Sequence, residues 1–283
     1  MSKVIACIDG SVGTHSVCDY AAWFSQKLSA QLELLHVIDK VKVQTPQNFS
    51  GALGLGDREI LLEEIVKLEE SKAKAQIQHG ELLLKEAKQY IHQQYDLAAY
   101  TFQRHGNLLE TVVALEDEFR VLIMGKYGTN TDRLSEKIGT QIENIVRAIH
   151  KPILVSSSPF EQPKSFLIAF DGSPTAKVCV ERIVASPLLI GLNAHLVYVG
   201  NPSQPIQSEI DWAKAQLQDA GFELKVNILE GEVEQAIINY ADTQAISILV
   251  VGAYGHSKIR QFFIGSSTTK LISGSTKPVL LLR

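Results

Sequence analysis

Glycines and hydroxyl side chains near the end of the chain have a spacing that suits phosphate binding. They follow the pattern G-x2-G-x9-G-S, with glycines at Gly252, Gly255 and Gly265. Two glycines directly after a strand let backbone N–H groups approach an anion closely. The third is followed by three hydroxyl residues at the predicted start of a helix, where free N–H groups and the helix dipole favour phosphate: Ser266, Ser267 and Thr268. The pattern predicts a phosphate-binding loop.

An acidic residue ends an apolar run earlier in the same half of the chain. Asp171 opens the sequence Asp171-Gly172-Ser173, and its carboxylate can accept hydrogen bonds from a ribose hydroxyl or an adenine amino group. Taken singly, these residues have simpler interpretations, because glycines shape turns and Ser266 can be an ordinary helix cap. Together, and with this spacing, they favour a nucleotide site.

An internal repeat organises the elements that must position these residues. Four pairs of segments match in the same order: 4–11 with 166–173, 34–37 with 196–199, 121–128 with 248–255, and 151–155 with 277–281. We therefore predict a tandem duplication, with domains at residues 1–157 and 164–283. The segment between them is rich in Ser and Pro, which is typical of a linker.

Apolar runs alternate with amphipathic helical stretches in both halves. In the first half, strands are predicted at 3–8, 32–38, 97–104, 120–125 and 152–156, and helices at 57–94, 107–118 and 136–149. The second half repeats this order with a shorter middle helix. Such alternation indicates a mostly parallel sheet with helices on both faces. We expect two doubly wound α/β domains, packed as a pseudo-dimer within one chain, with ligands outside the carboxyl ends of the strands.

The first half departs from the phosphate-binding spacing. It keeps the acid and the glycines: Asp9, Gly125, Gly128 and Gly139. However, segment 129–138 is one residue longer than 256–264, and it contains Asp132 and Glu136, which would repel a triphosphate. Two basic residues can offset these acids: Lys126 and Arg133. We expect a degenerate half that serves packing, and its nucleotide occupancy stays open.

Over essentially its whole length the chain resembles a tandem member of the universal stress protein family. The motif G-x2-G-x9-G-[ST] is the signature of that family's ATP-binding branch, and four residues satisfy it: Gly252, Gly255, Gly265 and Ser266. The family also has an Asp at the end of strand one, matched by Asp171. Its residue closing strand two contacts adenine, and Val199 is the matching position.

This resemblance implies a five-stranded parallel sheet in each half, of the adenine nucleotide alpha hydrolase-like type. It also implies a stress-response role and an adenine nucleotide at the strand ends: ATP, with ADP and AMP as alternatives. A Mg²⁺ ion accompanying the nucleotide stays open, because we identify no acidic residue to hold it near the phosphates of the second half.

Composition excludes several other classes of function. The chain has 283 residues, is 45% hydrophobic and 20% charged, and carries a formal net charge of −4. This balance is typical of a soluble globular protein and argues against binding to nucleic acid or to an anionic membrane. The N-terminus lacks a signal-peptide apolar region, and three cysteines without CxxC spacing indicate a reducing compartment, so we expect a cytoplasmic protein.

The catalytic motifs that often accompany nucleotide or hydrolase chemistry are missing from the sequence. It contains no G-x4-G-K-[ST], no G-x-S-x-G, no G-x-G-x-x-G and no HExxH. We identify no general base to activate water, so the expected activity is binding or sensing, with at most slow ATP hydrolysis. A nucleotide-dependent transferase or ligase is a weaker alternative, because its phosphate loop S-G-G-x-D-S is absent.

The long predicted helix, 57–94, leaves a second function open. Its outer faces carry many charged residues, as a solvated surface does. Its apolar stripe can instead cover the altered site of the first half or offer a docking surface. The alternative function is therefore a structural or partner-binding tandem module without bound nucleotide, and a homodimer of chains is possible.

Overall fold

The computed structural model describes residues 3–39, 55–128, 140–157, 159–252 and 266–283. Within these ranges, side chains are described except at 55–62, 140, 266 and 267. The described helices include none that is long and apolar enough to cross a lipid bilayer.

The described part of the first half alternates strands and helices as the apolar runs predict. Its strands are β1 (Lys3–Cys7), β2 (Gln31–Ile38), β3 (Ala99–His105), β4 (Phe119–Gly125) and β5 (Ile153–Ser156). Its helices are α1 (Thr14–Leu28), α2 (Leu55–Tyr95), α3 (Leu108–Ala114) and α4 (Thr140–Ala148). The described part of the second half contains strands β6 (Ser165–Ala169), β7 (Asn193–Val199), β8 (Leu224–Leu229), β9 (Ile248–Gly252) and β10 (Val279–Leu282). Its helices are α5 (Pro174–Val184), α6 (Gln204–Asp219), α7 (Val233–Thr243) and α8 (Ser266–Gly274).

The strands form one ten-stranded sheet in the order β3-β2-β1-β4-β5-β10-β9-β6-β7-β8. Within each half all neighbouring strands are parallel, which confirms the predicted doubly wound α/β class with five parallel strands per half. The two halves join where β5 pairs with β10 in the antiparallel sense, with Leu154 opposite Leu280. The pseudo-dimer is therefore built on a continuous sheet.

Both faces of the sheet carry a hydrophobic core that continues across the two halves. One core lies under α1, α2, α5 and α6 and includes Phe24, Ile91 and Phe166. The other lies under α3, α4, α7 and α8 and includes Ile145 and Leu271. The inner strands are mostly apolar on both faces for this reason, as expected of buried parallel strands, whereas the edge strands β3 and β8 are partly exposed.

One predicted helix is shorter than its sequence pattern suggested. The stretch 107–118 begins as α3, but α3 ends at Ala114 and a short 3₁₀ helix follows at Glu116–Glu118. Three consecutive acids occupy that turn. Negative charge opposes the helix dipole at a C-terminus, which gives a physical reason for the early end.

The segment between the halves packs against the first half. Phe160 makes an edge-on ring contact with Tyr20 of α1, with centroids 4.9 Å apart. The Ser157 hydroxyl donates to the carbonyl of Lys277 at 2.8 Å, which ties the segment to the turn before β10. The domain limits 1–157 and 164–283 stay a prediction.

Candidate functional site

The carboxyl ends of three neighbouring strands bring the predicted site residues to one edge of the sheet. β9, β6 and β7 are adjacent and parallel. Gly252 ends β9, Val199 ends β7, and Asp171 follows β6 by two residues. The order of strands reverses between β6 and β9, because the chain adds β7 and β8 on one side and then crosses to the other. Ligands of doubly wound folds bind at such a switch point.

Asp171 forms a tight turn at this edge. Its Oδ1 accepts a hydrogen bond from the backbone N–H of Ser173 at 2.9 Å. Gly172 has a φ of +76°, a conformation that favours glycine. Asp171 is exposed at the sheet edge, so the carboxylate faces solvent at the mouth of the predicted site. Ser173 caps α5, since its Oγ accepts from the N–H of Ala176 at 3.2 Å.

Gly252 permits a close approach between β9 and the start of α5. A Cβ at this position would lie 3.0 Å from the carbonyl oxygen of Thr175 and 3.4 Å from Cα of Ala176. The contact involves backbone atoms, which cannot easily move away. Gly252 is thus required for packing, and this packing places the N-terminus of α5 beside the end of β9.

The remaining residues of the motif are described only in part. Gly255 and Gly265 lie outside the described residues. Ser266 and Ser267 form the first turn of α8, although their side chains are not described. Thr268, in the same turn, is half-buried. Because α8 runs back from the carboxyl edge toward β10, its N-terminus and that of α5 both lie at this edge, where their dipoles favour an anion.

Val199 is the last residue of β7. It pairs with Leu229 of β8 and is partly buried against the core under α7 and α8. The structure therefore brings Asp171, Val199, Gly252 and the start of α8 to one edge. Whether they bind a nucleotide stays a prediction.

The first half repeats the acidic turn with the same geometry. Asp9 Oδ1 accepts from the N–H of Ser11 at 2.9 Å, and Gly10 has the same φ of +76° as Gly172. Asp132, Arg133, Glu136 and Gly139 lie outside the described residues. At Gly125, a Cβ would make only ordinary contacts of 3.5 Å or more.

Lys126 has a different role from the one that its position in the glycine motif suggests. Its ammonium is nearly buried, with the residue 5% exposed. Nζ donates to the carbonyl oxygens of Ser273 at 2.6 Å and Ser275 at 3.0 Å, at the C-terminus of α8 in the other half. The prediction that Lys126 offsets the acids of the first-half loop is wrong. A cation at a helix C-terminus is electrostatically favoured, and here that helix belongs to the second half.

A similar contact runs in the opposite direction. Arg283, which follows β10 in the second half, donates from Nη2 to the carbonyls of Val146 and Arg147 at the end of α4. Each half therefore supplies a cation to the C-terminus of a helix in the other half. The two cations do not occupy matching positions of the repeat, so the repeat alone did not reveal the pair.

The first half also holds polar side chains beneath α2. His36 donates from Nδ1 to the carbonyl of Ile8 at 2.7 Å, so its imidazole is half-buried and hydrogen-bonded. α2 passes directly over this ring, because a Cβ at Gly80 would lie 2.6 Å from His36 Cδ2 and 2.7 Å from Gln103 Oε1. Only a glycine lets the helix come this close. This contact was not predicted, although a glycine within a long helical pattern can indicate close packing.

Two buried hydrogen-bonded clusters were also missed. In the first half, the hydroxyls of Tyr90 and Tyr95 both donate to Oδ1 of Asp19, at 2.8 and 2.9 Å. In the second half, Tyr240 accepts from Asn227 at 2.7 Å and bonds His195 Nδ1 at 2.8 Å. Burial, with a smaller contribution from Lys225, lowers the pKa of His195, which favours the neutral imidazole.

The three cysteines are free thiols with little reactivity. Burial is the main cause that raises the pKa of Cys7, Cys18 and Cys179 to about 12. The thiolate is the reactive form, so at neutral pH these side chains act as small apolar groups. They take no part in the candidate site.

Comparison with known proteins agrees with this architecture. The family model described as the universal stress protein family matches residues 1–157 and 201–283. The universal stress protein Slr1230 of Synechocystis sp. is 36% identical over 287 residues, which covers 100% of both chains. A solved universal stress protein from Archaeoglobus fulgidus has the same fold, with a TM-score of 0.74, 16% identity, and coverage of 99% of this chain and 98% of that chain.

A universal stress protein solved in complex with cAMP is a more distant match. It covers 44% of this chain and 98% of its own, at 22% identity and a TM-score of 0.38, and its ligand is a property of that protein. The family match and the full-length Synechocystis relative carry the assignment. The chain belongs to the universal stress protein family.

Proposed function

We propose that this protein binds an adenine nucleotide, with ATP as the first candidate and ADP or AMP as alternatives, in a stress-response role in the cytoplasm. The proposed site lies in the second half and uses eight residues: Asp171, Val199, Gly252, Gly255, Gly265, Ser266, Ser267 and Thr268. The proposal is supported by the complete G-x2-G-x9-G-S motif of the sequence, because its described parts, Gly252 and the start of α8, lie with the Asp171 turn at the switch point between β6 and β9.

The arrangement supports binding rather than turnover. Two helix N-termini, those of α5 and α8, favour the phosphates. The exposed Asp171 carboxylate can accept from the ribose or the adenine amino group. The proposal assigns no protein ligand to Mg²⁺, which would enter as a counter-ion of the phosphates. We expect slow hydrolysis at most, because the proposed site includes no general base for water.

The test is a comparison of two matched glycine variants. Gly265→Val blocks the approach of the backbone to phosphate, whereas Gly139→Val makes the same change at the matching position of the first half. Gly252 is less suitable, because a side chain there would collide with the Thr175 backbone. In thermal unfolding, ATP at about 100 times its dissociation constant should stabilise the wild type and Gly139→Val by about 2.7 kcal/mol, but not Gly265→Val.

An equal response of both variants to ATP would contradict the proposed site. If the wild-type protein shows no stabilisation by ATP, ADP or AMP, the structural or partner-binding alternative is favoured. Denaturing the purified protein and identifying any small molecule that it releases would name the nucleotide directly.

The nucleoside end of the site can be tested separately. Asp171→Asn keeps an oxygen for the Ser173 amide but removes the negative charge, and Asp9→Asn is the matched change in the first half. Asp171→Asn should weaken ATP binding, because the neutral amide is a poorer acceptor for ribose or amino donors. Unchanged affinity would exclude Asp171 from the site.

A further inference from the structure

The N-terminal part of α2 projects away from the other described residues. α2 has 41 residues, which makes it about 60 Å long at 1.5 Å per residue. Its last turns pack on the sheet, where Leu84, Ala87 and Ile91 are buried. By contrast, every residue from 66 to 75 is exposed. Against the described parts of the chain, this segment therefore lacks the tertiary packing that normally stabilises helices in proteins.

The exposed part of α2 carries a heptad pattern. Six residues alternate at spacings of three and four, which is the spacing of a coiled-coil seam: Ile65, Leu68, Lys72, Ala75, His79 and Leu82. We call this set the α2 seam. Leu68 is 70% exposed and Leu82 is 56% exposed, so these two large side chains of the seam are available for contact. The seam lies on a different face from the residues that α2 buries against the sheet.

We propose that the α2 seam binds the α2 seam of a second copy of this chain, as an antiparallel two-stranded coiled coil. In this register Ile65 lies opposite Leu82 of the second copy, and Leu68 lies opposite His79. Lys72 lies opposite Ala75, whose small side chain leaves room for the aliphatic part of the lysine to pass while its ammonium reaches water.

The charges on α2 favour a second copy in this orientation. Residues that flank the seam meet across an antiparallel pair, so Glu64 comes opposite Lys85 of the second copy, once at each end. A parallel, in-register pair would instead bring Lys72 opposite its own copy and Glu64 opposite Glu69. Like charges in contact across an interface are unfavourable. The seam is therefore complementary to itself when reversed.

The seam spans fewer heptads than a stable isolated coiled coil, so the dimer should be weak and dependent on concentration. Sedimentation velocity of the full chain, from micromolar to sub-millimolar concentrations, should show a reversible monomer–dimer equilibrium. The Leu68→Glu variant should raise the dissociation constant about tenfold or more, because a charged side chain replaces a leucine that becomes buried in the dimer.

A matched control lies two residues away on the same helix. Val66 is 52% exposed but is not in the seam, so Val66→Glu should leave the dissociation constant unchanged. A wild type that stays monomeric over the whole range would overturn the proposal. Equal weakening by both variants would also overturn it, since that result would indicate a general effect of charge on α2.

Exchange of the flanking charges tests the identity of the partner. Glu64→Lys alone, or Lys85→Glu alone, places like charges together and should weaken the dimer. The double variant, Glu64→Lys with Lys85→Glu, restores opposite charges and should recover the wild-type dissociation constant. If the double variant is as weak as the single ones, Glu64 and Lys85 do not meet across the interface.

Disulfide trapping tests the orientation. A mixture of Leu68→Cys and His79→Cys proteins should form a cross-linked heterodimer under mild oxidation, because these positions share a layer in the antiparallel register. Leu68→Cys alone should not cross-link. Cross-linking of Leu68→Cys alone would show a parallel pair and overturn the proposed arrangement. The wild type serves as the control for its own three thiols, two of which are buried.

Discussion

The turns after β1 and β6 have the same residues and the same geometry. In each, an aspartate accepts from the amide of a serine two residues later at 2.9 Å, around a glycine with a φ of +76°. The helices that cover these turns differ. α6 begins at Gln204, close to the turn that it covers. α2 begins at Leu55, more than 20 residues before the position that matches Gln204 in the repeat. Duplication has kept the turn and changed the surroundings.

The difference is greatest where the middle helix crosses the second strand. The buried positions of α2 and α6 have the same spacing, which matches Gly80 with Ile206. A Cβ added at Gly172 would lie 2.9 Å from Cδ1 of Ile206, so in the second half an apolar side chain of α6 covers the turn. In the first half, Leu83 of α2 covers the matching turn, 3.0 Å from a Cβ position on Gly10, while Gly80 leaves room for His36 and Gln103.

Helix α1 is also more deeply enclosed than α5. Eleven residues of α1 are buried, against four of α5. Phe160 of the segment between the halves and the hydroxyl groups of Tyr90 and Tyr95 contact α1. Asp19 is therefore buried, whereas Glu181, its match in the repeat, is exposed. Of the two halves, only the second keeps the complete glycine motif. Three predictions test this comparison.

The largest effect is expected from Gly80→Val. The new side chain would collide with the His36 ring, which is held by its hydrogen bond to Ile8, so α2 must shift from the sheet. We expect the free energy of unfolding to fall by about 3 kcal/mol, at the upper end for overpacking. Urea unfolding measures this change. Ala73→Val, at an exposed position of the same helix, should cost about 0.5 kcal/mol, and an equal loss in both variants would contradict the close contact.

A smaller effect is expected from Lys126→Met. This change removes the hydrogen bonds to the carbonyls of Ser273 and Ser275 while keeping the aliphatic volume. The expected loss is about 2 kcal/mol, since hydrogen bonds to a charged group at a helix C-terminus are lost. Lys270→Met is the control. Lys270 lies on α8, the helix that Lys126 contacts, and its largely exposed side chain forms an ion pair with Glu234 that contributes little to stability. A loss below that of the control would show that Lys126 does not join the halves.

The smallest effect concerns alkaline pH. Burial and the hydrogen bond to Asp19 raise the pKa of Tyr90 to about 12, and the same causes raise the pKa of Tyr95. Because the folded-state pKa exceeds the ordinary value of about 10, folding favours the neutral hydroxyl. This stabilisation is complete below pH 10 and decreases as the pH rises toward 12. The buried thiols, whose pKa is raised to about 12 from 9.0, add a decrease that begins near pH 9.

Tyr90→Phe tests the tyrosine contribution. The variant should lose about 1 kcal/mol at neutral pH, the value of one hydrogen bond, and should show a smaller decrease between pH 10 and 12 than the wild type. Urea midpoints measured across this range provide the check. Tyr100→Phe, which removes an exposed hydroxyl, should leave the midpoints unchanged. If Tyr90→Phe keeps the full alkaline decrease, the Asp19 cluster does not cause it.

Most of the fold could be predicted from local patterns. The strand ends agree with the apolar runs to within about two residues, because buried parallel strands are nearly continuous in apolar residues. The acidic turns were visible as Asp-Gly-Ser because a tight turn needs a glycine there. The role of Lys126 was predicted wrongly, because local patterns do not show contacts with distant segments. Its position in a glycine motif suggested a role in the loop, whereas its long side chain reaches another helix.

The sequence by itself determined that this protein is a duplicated α/β chain with one complete glycine motif, since periodicity, turns and repeats depend on neighbours along the chain. Only the tertiary structure decided that β5 and β10 merge the two sheets, that Asp19 is buried beneath two tyrosines, and that Gly80 passes over His36. These features depend on contacts between segments far apart in sequence. The same residue types occur both at surfaces and in cores, so the residue type alone does not predict these contacts.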